Sequence, residues 1–373
     1  MINRLTGTIA RPDGSLVRGE ISFDGRIDAV EAASVAGDDF ILPGLIDLQV
    51  NGSHGIDVMT APPESLVKLG EQLAREGTTA WLPTAVTAPL ERIEMVHTSI
   101  AEAAARSRGD SAWHGAAILG MHLEGPFISP LRLGAHPRLN LEPRGDALER
   151  VLAMDQLRLV TLAPELPGAL DAIARLAARG VAISIGHTNA TLEEANAGIA
   201  AGARMFTHLY NAMRPLNHRD PGVIAAALTP SAAYAALIPD GVHVHPEMIR
   251  LACRARGREG IIAVTDKVVL AGAVSGEVRN VGAGGASVRD GAVRLGDGTL
   301  AGSVITMLDG LRMLVDKAGV SVGDGAVMAS SNAAALMGAA DRGRIQVGAR
   351  ADLIVLNAAL ELKAVFVGGR EIR

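Results

Sequence analysis

Aromatic residues are scarce in this sequence: Phe, Trp and Tyr together make up 2% of its 373 residues. Its core must therefore be built from aliphatic side chains, and the chain is long enough to bury a large one. A single cysteine, Cys253, excludes an internal disulfide and favours a reducing, cytoplasmic location. No apolar run reaches the roughly 18 residues that a membrane span needs. No charged-then-apolar leader opens the sequence either, so we expect a protein that does not bind membranes.

An excess of positive charge is also lacking, because the formal net charge is -5. Such a chain has no global basic field that would attract nucleic acid, so any anionic ligand must be bound locally. Fixed-period repeats are absent as well, which excludes a solenoid.

The chain divides into three stretches by pattern. Residues 1–42 carry short strand-like runs separated by turn residues, and residues 339–373 return to that pattern. Residues 43–338 alternate strand-like runs with helix-forming stretches, which is typical of a parallel sheet with helices outside it. We therefore predict an α/β fold: a (β/α)8 TIM-like barrel over 43–338, and a small β-sandwich domain formed by the two terminal segments. Two Asp-Gly pairs in residues 286–300 predict a hairpin inserted late in the barrel.

Four polar residues each follow a short apolar run: Glu124, His187, His208 and Asp266. In a (β/α)8 barrel, the chemistry lies at the carboxyl ends of the strands. Two imidazoles and a carboxylate from three strands form a catalytic metal set with an open water position, and a further aspartate can act as a base. Taken singly, each of these residues also has a structural interpretation, as a buried hydrogen-bonding partner or a loop cap. Together they predict metal-assisted hydrolysis.

Several longer segments resemble the amidohydrolase superfamily and, within it, the N-acetylglucosamine-6-phosphate deacetylases. The resemblance covers essentially the whole chain. Its most specific segments are His122-Leu-Glu-Gly-Pro-Phe127 and Thr207-His-Leu-Tyr-Asn-Ala-Met213. The other segments are Pro43-Gly-Leu-Ile-Asp-Leu-Gln-Val-Asn-Gly52, Gly134-Ala-His-Pro137, Thr161-Leu-Ala-Pro-Glu165, Gly186-His-Thr-Asn-Ala190, Asp240-Gly-Val-His243 and Val264-Thr-Asp266.

This resemblance implies a reaction that yields glucosamine 6-phosphate and acetate, and it implies a role for each matching residue. Glu124, His187 and His208 would hold one divalent metal ion, zinc or another such as iron. Asp266 would be the general acid and base, and His136 would stabilise the developing oxyanion.

Other implied roles concern the number of metals and the substrate phosphate. Gln49 and Asn51 stand where many superfamily members carry His-x-His, and amides are poor zinc ligands, which favours a single metal near these two residues. A phosphorylated amino sugar would be bound by Asn211, Ala212, Arg219 and His243. In relatives, this arginine reaches across a dimer interface, so a homodimer is implied.

Lys267 departs from the family pattern, because a small residue commonly follows the catalytic aspartate. Strand alternation should point its side chain away from Asp266. The loop of residues 268–272 is also unusually apolar, which leaves the identity of the sugar open. N-acetylgalactosamine 6-phosphate is therefore an alternative substrate, and the remaining alternatives are a different amidohydrolase reaction and a non-catalytic barrel scaffold.

Overall fold

Strands and helices alternate along most of the chain. The computed structural model describes residues 2–34, 37–109, 113–273 and 277–372. Its strands are β1 (Asn3–Ala10), β2 (Leu16–Phe23), β3 (Ile27–Ala32), β4 (Phe40–Pro43), β5 (Leu45–Val50), β6 (Gly52–Ser53), β7 (Ile56–Asp57), β8 (Thr78–Val86), β9 (Ala117–Ile118), β10 (Met121–Glu124), β11 (Leu157–Leu162), β12 (Ala182–Ile185), β13 (Met205–Phe206), β14 (Tyr234–Leu237), β15 (Ile261–Ala263), β16 (Val278–Val281), β17 (Gly284–Arg289), β18 (Ala292–Leu295), β19 (Leu353–Leu356), β20 (Leu362–Val367) and β21 (Arg370–Ile372). Its α-helices are α1 (Pro63–Arg75), α2 (Leu90–Gly109), α3 (Gly145–Leu152), α4 (Ala169–Ala178), α5 (Leu192–Ala201), α6 (Gly222–Leu228), α7 (Pro246–Arg256), α8 (Met307–Asp316), α9 (Val322–Ala326) and α10 (Asn332–Leu336). A 3-10 turn spans Arg258–Gly260, and a π-helical turn at Val327–Ser331 joins α9 to α10.

The two ends of the chain fold together into one sheet. Its strand order is β21-β20-β19-β4-β1-β2-β3, and every described pair is antiparallel except β1 with β4. Strands β2 and β20 are four positions apart in that order, which would separate them by about 19 Å in a flat sheet. The rings of Phe23 on β2 and Phe366 on β20 nevertheless lie 5.2 Å apart. The sheet therefore curls onto itself into two facing layers, which confirms the predicted terminal β-sandwich. The boundaries of this small domain, 1–42 and 339–373, stay a prediction.

A parallel barrel occupies the middle of the chain and confirms the predicted fold class. Within the described residues its strand order is β5-β8-β10-β11-β12-β13-β14-β15, with β9 paired beside β8. The barrel closes between β5 and the residues after β15, where Val50 pairs in parallel with Lys267 and the Asn51 amide donates to the Lys267 carbonyl at 2.8 Å. All eight strands therefore present their carboxyl ends at one mouth.

Aliphatic side chains fill the barrel, as the scarcity of aromatics requires. One buried cluster joins residues of six barrel strands to α10: Ile46, Leu48, Ala80, Leu82, Leu159, Met205, Ala236, Ile238, Ile262, Val264, Ala333, Ala334 and Met337. Helix α1 shows how the surrounding helices pack, since Leu66, Leu69 and Leu73 recur at helical spacing and are buried. None of the helices in the described ranges is long and apolar enough to cross a membrane.

A three-stranded antiparallel sheet, β16-β17-β18, is inserted before α8 and confirms the predicted hairpin. Asp290 and Gly291 connect β17 to β18 with φ values of 51° and 74°, as a two-residue hairpin turn requires. Its apolar side chains pack with the loop that follows β15, and the Ala283 amide donates to the Ala135 carbonyl at 2.8 Å. The insertion therefore covers one side of the barrel mouth.

Candidate active site

The four residues that follow apolar runs come together at the barrel mouth. Glu124 ends β10, while His187, His208 and Asp266 lie two or three residues beyond β12, β13 and β15. These last three have φ values of 47°, 28° and 51°, a conformation that residues other than glycine rarely adopt. Such strained positions cluster at functional sites. Here the strain accompanies a sharp turn of the backbone directly after each strand.

Glu124, His187 and His208 direct three potential metal-ligand atoms toward one point. The Nε2 atoms of both histidines lie 3.2 and 3.0 Å from Oε1 of Glu124, and 3.0 Å from each other. Nδ1 of His187 is 2.9 Å from the Arg132 carbonyl, so it carries the proton and leaves Nε2 with a free lone pair. This outer hydrogen bond is typical of metal-ligating histidines. These three ligand atoms thus fit a divalent cation.

His136 lies beside this group in the opposite tautomer. Its Nδ1 is 2.8 Å from Oγ1 of Thr87 and accepts the Thr87 amide at 3.4 Å, so the proton is on Nε2. That Nε2 lies 3.7 Å from Oε2 of Glu124. By spacing alone, Glu124, His136 and His187 form a buried group that could hold a metal ion. The tautomer instead favours His136 as a hydrogen-bond donor and His208 as the second histidine ligand.

Burial and mutual contacts shift the pKa values of these groups. Burial alone would raise the pKa of Glu124, but its interactions with His136, His187 and His208 outweigh burial and hold that pKa well below its usual range. Burial, reinforced by His136, lowers the pKa of His187 to about 4. Burial also acts to lower the pKa of His208, yet the contact with Glu124 raises it. At neutral pH, His187 is therefore neutral and Glu124 ionised, the states that metal ligands need.

Asp266 faces the same space and is held by two amides. Nε2 of Gln49 and Nδ2 of Asn51 lie 3.0 and 2.7 Å from Oδ1 of Asp266, and Gln49 also donates to Oε1 of Glu124 at 3.0 Å. Burial, with a further contribution from the charge of Glu124, raises the pKa of Asp266 to about 6. Gln49 and Asn51 thus orient the two carboxylates through their NH₂ groups.

A cavity of about 270 Å³ opens above these residues. Asn211, Ala212 and His243 line it, as the sequence predicts for residues that contact substrate. Nδ1 of His243 is 2.6 Å from Oδ2 of Asp240, which fixes the ring. The insertion and the loops beside it contribute an apolar wall of Val268, Val269, Val281, Leu300 and Ala301.

Unlike Gln49, which contacts the lining residues Glu124 and Asp266, the predicted site residue Arg219 lies apart from the cavity. It is exposed, on a loop after Met213, and it does not line the cavity. Among the residues that the structure describes, its guanidinium makes no hydrogen bond or ion pair. A contact between Arg219 and a substrate in this cavity would thus need a second subunit or a movement of the loop.

Several residues contribute to the site without a signal in the sequence. Thr87 orients His136, and Asp57, Met59 and Val86 line the cavity, but no motif marks these residues. Asp47, near the end of β5, does not line the cavity. Its carboxylate accepts hydrogen bonds from the Thr265 amide and hydroxyl across the barrel seam instead.

Lys267 extends away from the cavity, as strand alternation predicts. Its amine lies 2.6 Å from Oε2 of Glu76, a residue that directly follows α1. The side chain is fully buried, with 1% of its surface exposed.

Comparisons with known proteins agree with this geometry. The model of the amidohydrolase family matches residues 40–372. N-acetylgalactosamine-6-phosphate deacetylase from Escherichia coli O157:H7 is 37% identical over 355 residues, covering 93% of this chain and 92% of that protein. N-acetylglucosamine-6-phosphate deacetylase from Bacillus subtilis is 37% identical over 334 residues, covering 87% of this chain and 82% of that protein. Among solved structures, N-acetylglucosamine-6-phosphate deacetylase from Thermotoga maritima superposes with a TM-score of 0.93 at 30% identity, covering 100% of this chain and 99% of that one. A mutant of N-acetyl-D-glucosamine-6-phosphate deacetylase from Mycobacterium smegmatis, in complex with N-acetyl-D-glucosamine-6-phosphate, superposes with a TM-score of 0.91 at 32% identity. This match covers 100% of this chain and 99% of that one.

Proposed function

The chain belongs to the amidohydrolase family, and on that premise we propose that it hydrolyses the acetamide of N-acetylglucosamine 6-phosphate to glucosamine 6-phosphate and acetate. The observation that carries this proposal is the convergence of Glu124, His187 and His208 beside Asp266, in a cavity that Asn211 and His243 also line. Relatives with this activity match the chain over most of its length. We also propose a cytoplasmic location, which the single cysteine favours.

Glu124, His187 and His208 would hold one divalent metal ion, with zinc the first candidate and iron another. Imidazole and carboxylate ligands accept several divalent metals, so the donor set does not select among them. When bound there, such an ion supplies Lewis acidity that polarises the acetyl carbonyl and acidifies water.

Asp266 is proposed to move the proton in both directions. With a pKa of about 6, it is largely ionised at neutral pH and still basic enough to take a proton from the attacking water. It then returns that proton to the departing amine nitrogen. Gln49 and Asn51 hold its carboxylate in place for both steps.

His136 is proposed to stabilise the oxyanion that develops on the acetyl oxygen. Its Nε2–H points toward the space beside Glu124, and Thr87 fixes the tautomer that makes this possible. A donor that is already in place before the reaction stabilises a developing charge without reorganisation.

Substrate phosphate is proposed to bind Asn211, Ala212 and His243 on one subunit and Arg219 of a partner subunit in a homodimer. Exposed apolar side chains support an interface, since Leu131, Leu139 and Leu216 are 70%, 47% and 48% exposed. Their two loops meet at the mouth, where the Arg132 carbonyl contacts His187 and the Arg214 amide donates to Thr188.

N-acetylgalactosamine 6-phosphate is a second candidate substrate, because one of the most similar relatives bears that activity in its name. The epimers differ at one hydroxyl, and none of the proposed residue roles involves that hydroxyl. A non-catalytic scaffold is the weakest alternative, since every proposed ligand and the proposed base stand together in one buried group.

The decisive experiment measures acetate release from N-acetylglucosamine 6-phosphate, its galactosamine epimer and unphosphorylated N-acetylglucosamine, with the metal content determined on the same sample. We expect the first substrate to be turned over fastest, with about one metal per chain. If the protein prefers the galactosamine epimer, the proposed reaction stands and the assigned substrate changes to that epimer. Metal-loaded protein that hydrolyses none of the three would refute the proposed function.

Replacement of the proposed base tests the mechanism. Asp266→Asn should lower kcat by about 10²- to 10⁴-fold, because the asparagine cannot accept the water proton. Metal content should stay at the wild-type level, because Asp266 is not among the proposed ligands. Asp28→Asn, an exposed change on β3, is the control and should leave kcat unchanged. Full activity of the Asp266 variant would remove the assigned role.

A further inference from the structure

A buried ion pair lies directly behind the proposed base. Lys267 is one of the largest fully buried side chains, and its amine contacts Oε2 of Glu76 at 2.6 Å. Glu76 follows the last turn of α1, where the helix dipole disfavours a carboxylate. An apolar side chain at position 267 would avoid the cost of burying an ammonium group. Stability alone is therefore a poor explanation of this pair.

The second oxygen of Glu76 makes another contact. Oε1 lies 2.7 Å from Nε2 of His54. His54 in turn holds the far end of the loop that Lys267 begins: its amide donates to the Ala271 carbonyl at 2.8 Å, and a Cβ at Gly272 would meet its ring at 2.8 Å. One carboxylate thus connects both ends of the 267–272 loop. We call Glu76, Lys267 and His54 the Glu76 clamp.

The clamped loop forms part of the proposed active site. Asp266 immediately precedes it with a φ of 51°, and Val268 and Val269 line the cavity. Backbone pairing with Val50 and Ser303 holds Lys267 on both sides. Any displacement of this residue is consequently transmitted to the carboxylate of Asp266 and to the apolar wall.

We propose that Lys267 and Glu76 are positioning residues for the deacetylation reaction. They contact neither substrate nor metal, and they act by holding the turn that carries Asp266 and the Val268–Val269 wall. This inference rests on the proposed function for its kinetic test. Its structural part, an anchored 267–272 loop, is tested separately.

Loss of the clamp should affect kcat more than KM. We expect Lys267→Met to lower kcat about 10- to 100-fold, because small displacements of a catalytic group have effects of that size. KM should change less than about twofold, because the residues proposed to bind phosphate lie on other loops. Metal content should not change. Lys363→Met is a matched control, since Lys363 also pairs with a carboxylate at 2.6 Å, that of Asp39, but on the terminal sheet and largely exposed.

Variants of Glu76 separate positioning from folding. Glu76→Gln can still accept from Lys267 and donate to His54, so it should retain much more of kcat than Glu76→Leu. The Lys267→Met/Glu76→Leu double variant should lose no more kcat than the more impaired single variant, because the two side chains act as a unit. Independent, multiplying losses would contradict the clamp.

Hydrogen exchange of the metal-loaded protein provides a readout that needs no substrate. In Lys267→Met, amides of residues 266–272 should exchange at least about tenfold faster, while those of the terminal sheet keep their wild-type rates. Unchanged exchange and unchanged kcat, with only a lower Tm, would overturn the proposal. If the wild-type protein hydrolyses none of the sugars, the proposed function fails, and the exchange rates still decide whether the clamp anchors the loop.

Discussion

Two histidines beside Glu124, His187 and His136, differ in the ring nitrogen that carries the proton. The Arg132 carbonyl accepts from Nδ1 of His187 and frees Nε2 as a ligand, whereas Thr87 contacts Nδ1 of His136 and leaves a proton on Nε2. The same residue type is thereby committed to two different tasks by its partners. Thr87 is the residue that makes this distinction testable.

Removal of the Thr87 hydroxyl should weaken the proposed oxyanion stabilisation without disturbing the metal. We expect Thr87→Val to lower kcat about tenfold, because the His136 ring loses its shorter contact to Thr87 and keeps only the 3.4 Å hydrogen bond from the backbone amide. Steady-state kinetics and metal analysis of the same preparation check this. Thr98→Val, on the exposed face of α2, is the control. A loss of metal in the Thr87 variant would show that His136 is a ligand instead.

The elements of the barrel meet at a seam between β5 and the residues after β15, and a buried carboxylate crosses it. Asp47 accepts hydrogen bonds from the amide and hydroxyl of Thr265, next to the proposed base. Burial raises the pKa of Asp47 to about 6, although these hydrogen bonds and the charge of Lys267 oppose the shift. In the unfolded chain its pKa returns to 3.8, the ordinary value of a solvated aspartate.

This shift gives a pH-dependent stability with a defined sign. Between about pH 4 and 6 the folded chain binds more protons at Asp47 than the unfolded chain, so its contribution to stability falls as pH rises through that window. We expect Asp47→Asn, which stays neutral, to gain about 1 to 3 kcal/mol relative to wild type on going from pH 4 to pH 7. Chemical denaturation at several pH values measures the difference. A difference that is constant with pH would contradict the raised pKa.

At the level of elements, the sequence predicts those site residues that share one local pattern, a polar residue after a short apolar run. Glu124, His187, His208 and Asp266 could be found because each ends a short apolar run, and parallel strands bring such ends together. Partners far apart in the chain left no comparable signal: Thr87 and His136 are 49 positions apart, and Glu76 and Lys267 are 191 apart. The contact of Asp47 with Thr265, at a separation of 218 positions, left no such signal either. Without the family resemblance, His136 and Arg219 would have had no assigned role.

For the molecule as a whole, the open question is whether one chain contains a complete substrate site. Asn211, Ala212 and His243 line the cavity, but Arg219 lies exposed outside it. Leu131, Leu139 and Leu216 are exposed on two loops that contact His187 and Thr188. A second subunit seated there would cover these leucines and could bring its own Arg219 to the substrate phosphate.

Mixed dimers can test this arrangement directly. Arg219→Ala alone should raise KM for the phosphorylated sugar about tenfold or more, since a charge-assisted contact is lost, while kcat stays near wild type. Asp266→Asn alone should be nearly inactive.

If Arg219 acts across the interface, co-refolded or co-expressed dimers of these two variants contain one site with an intact Asp266 and a partner's intact Arg219. Such a mixture should recover a wild-type KM at up to about half of the kcat per dimer. If Arg219 acts within its own chain, no site in the mixed dimer has both residues, and the low-KM activity will not return.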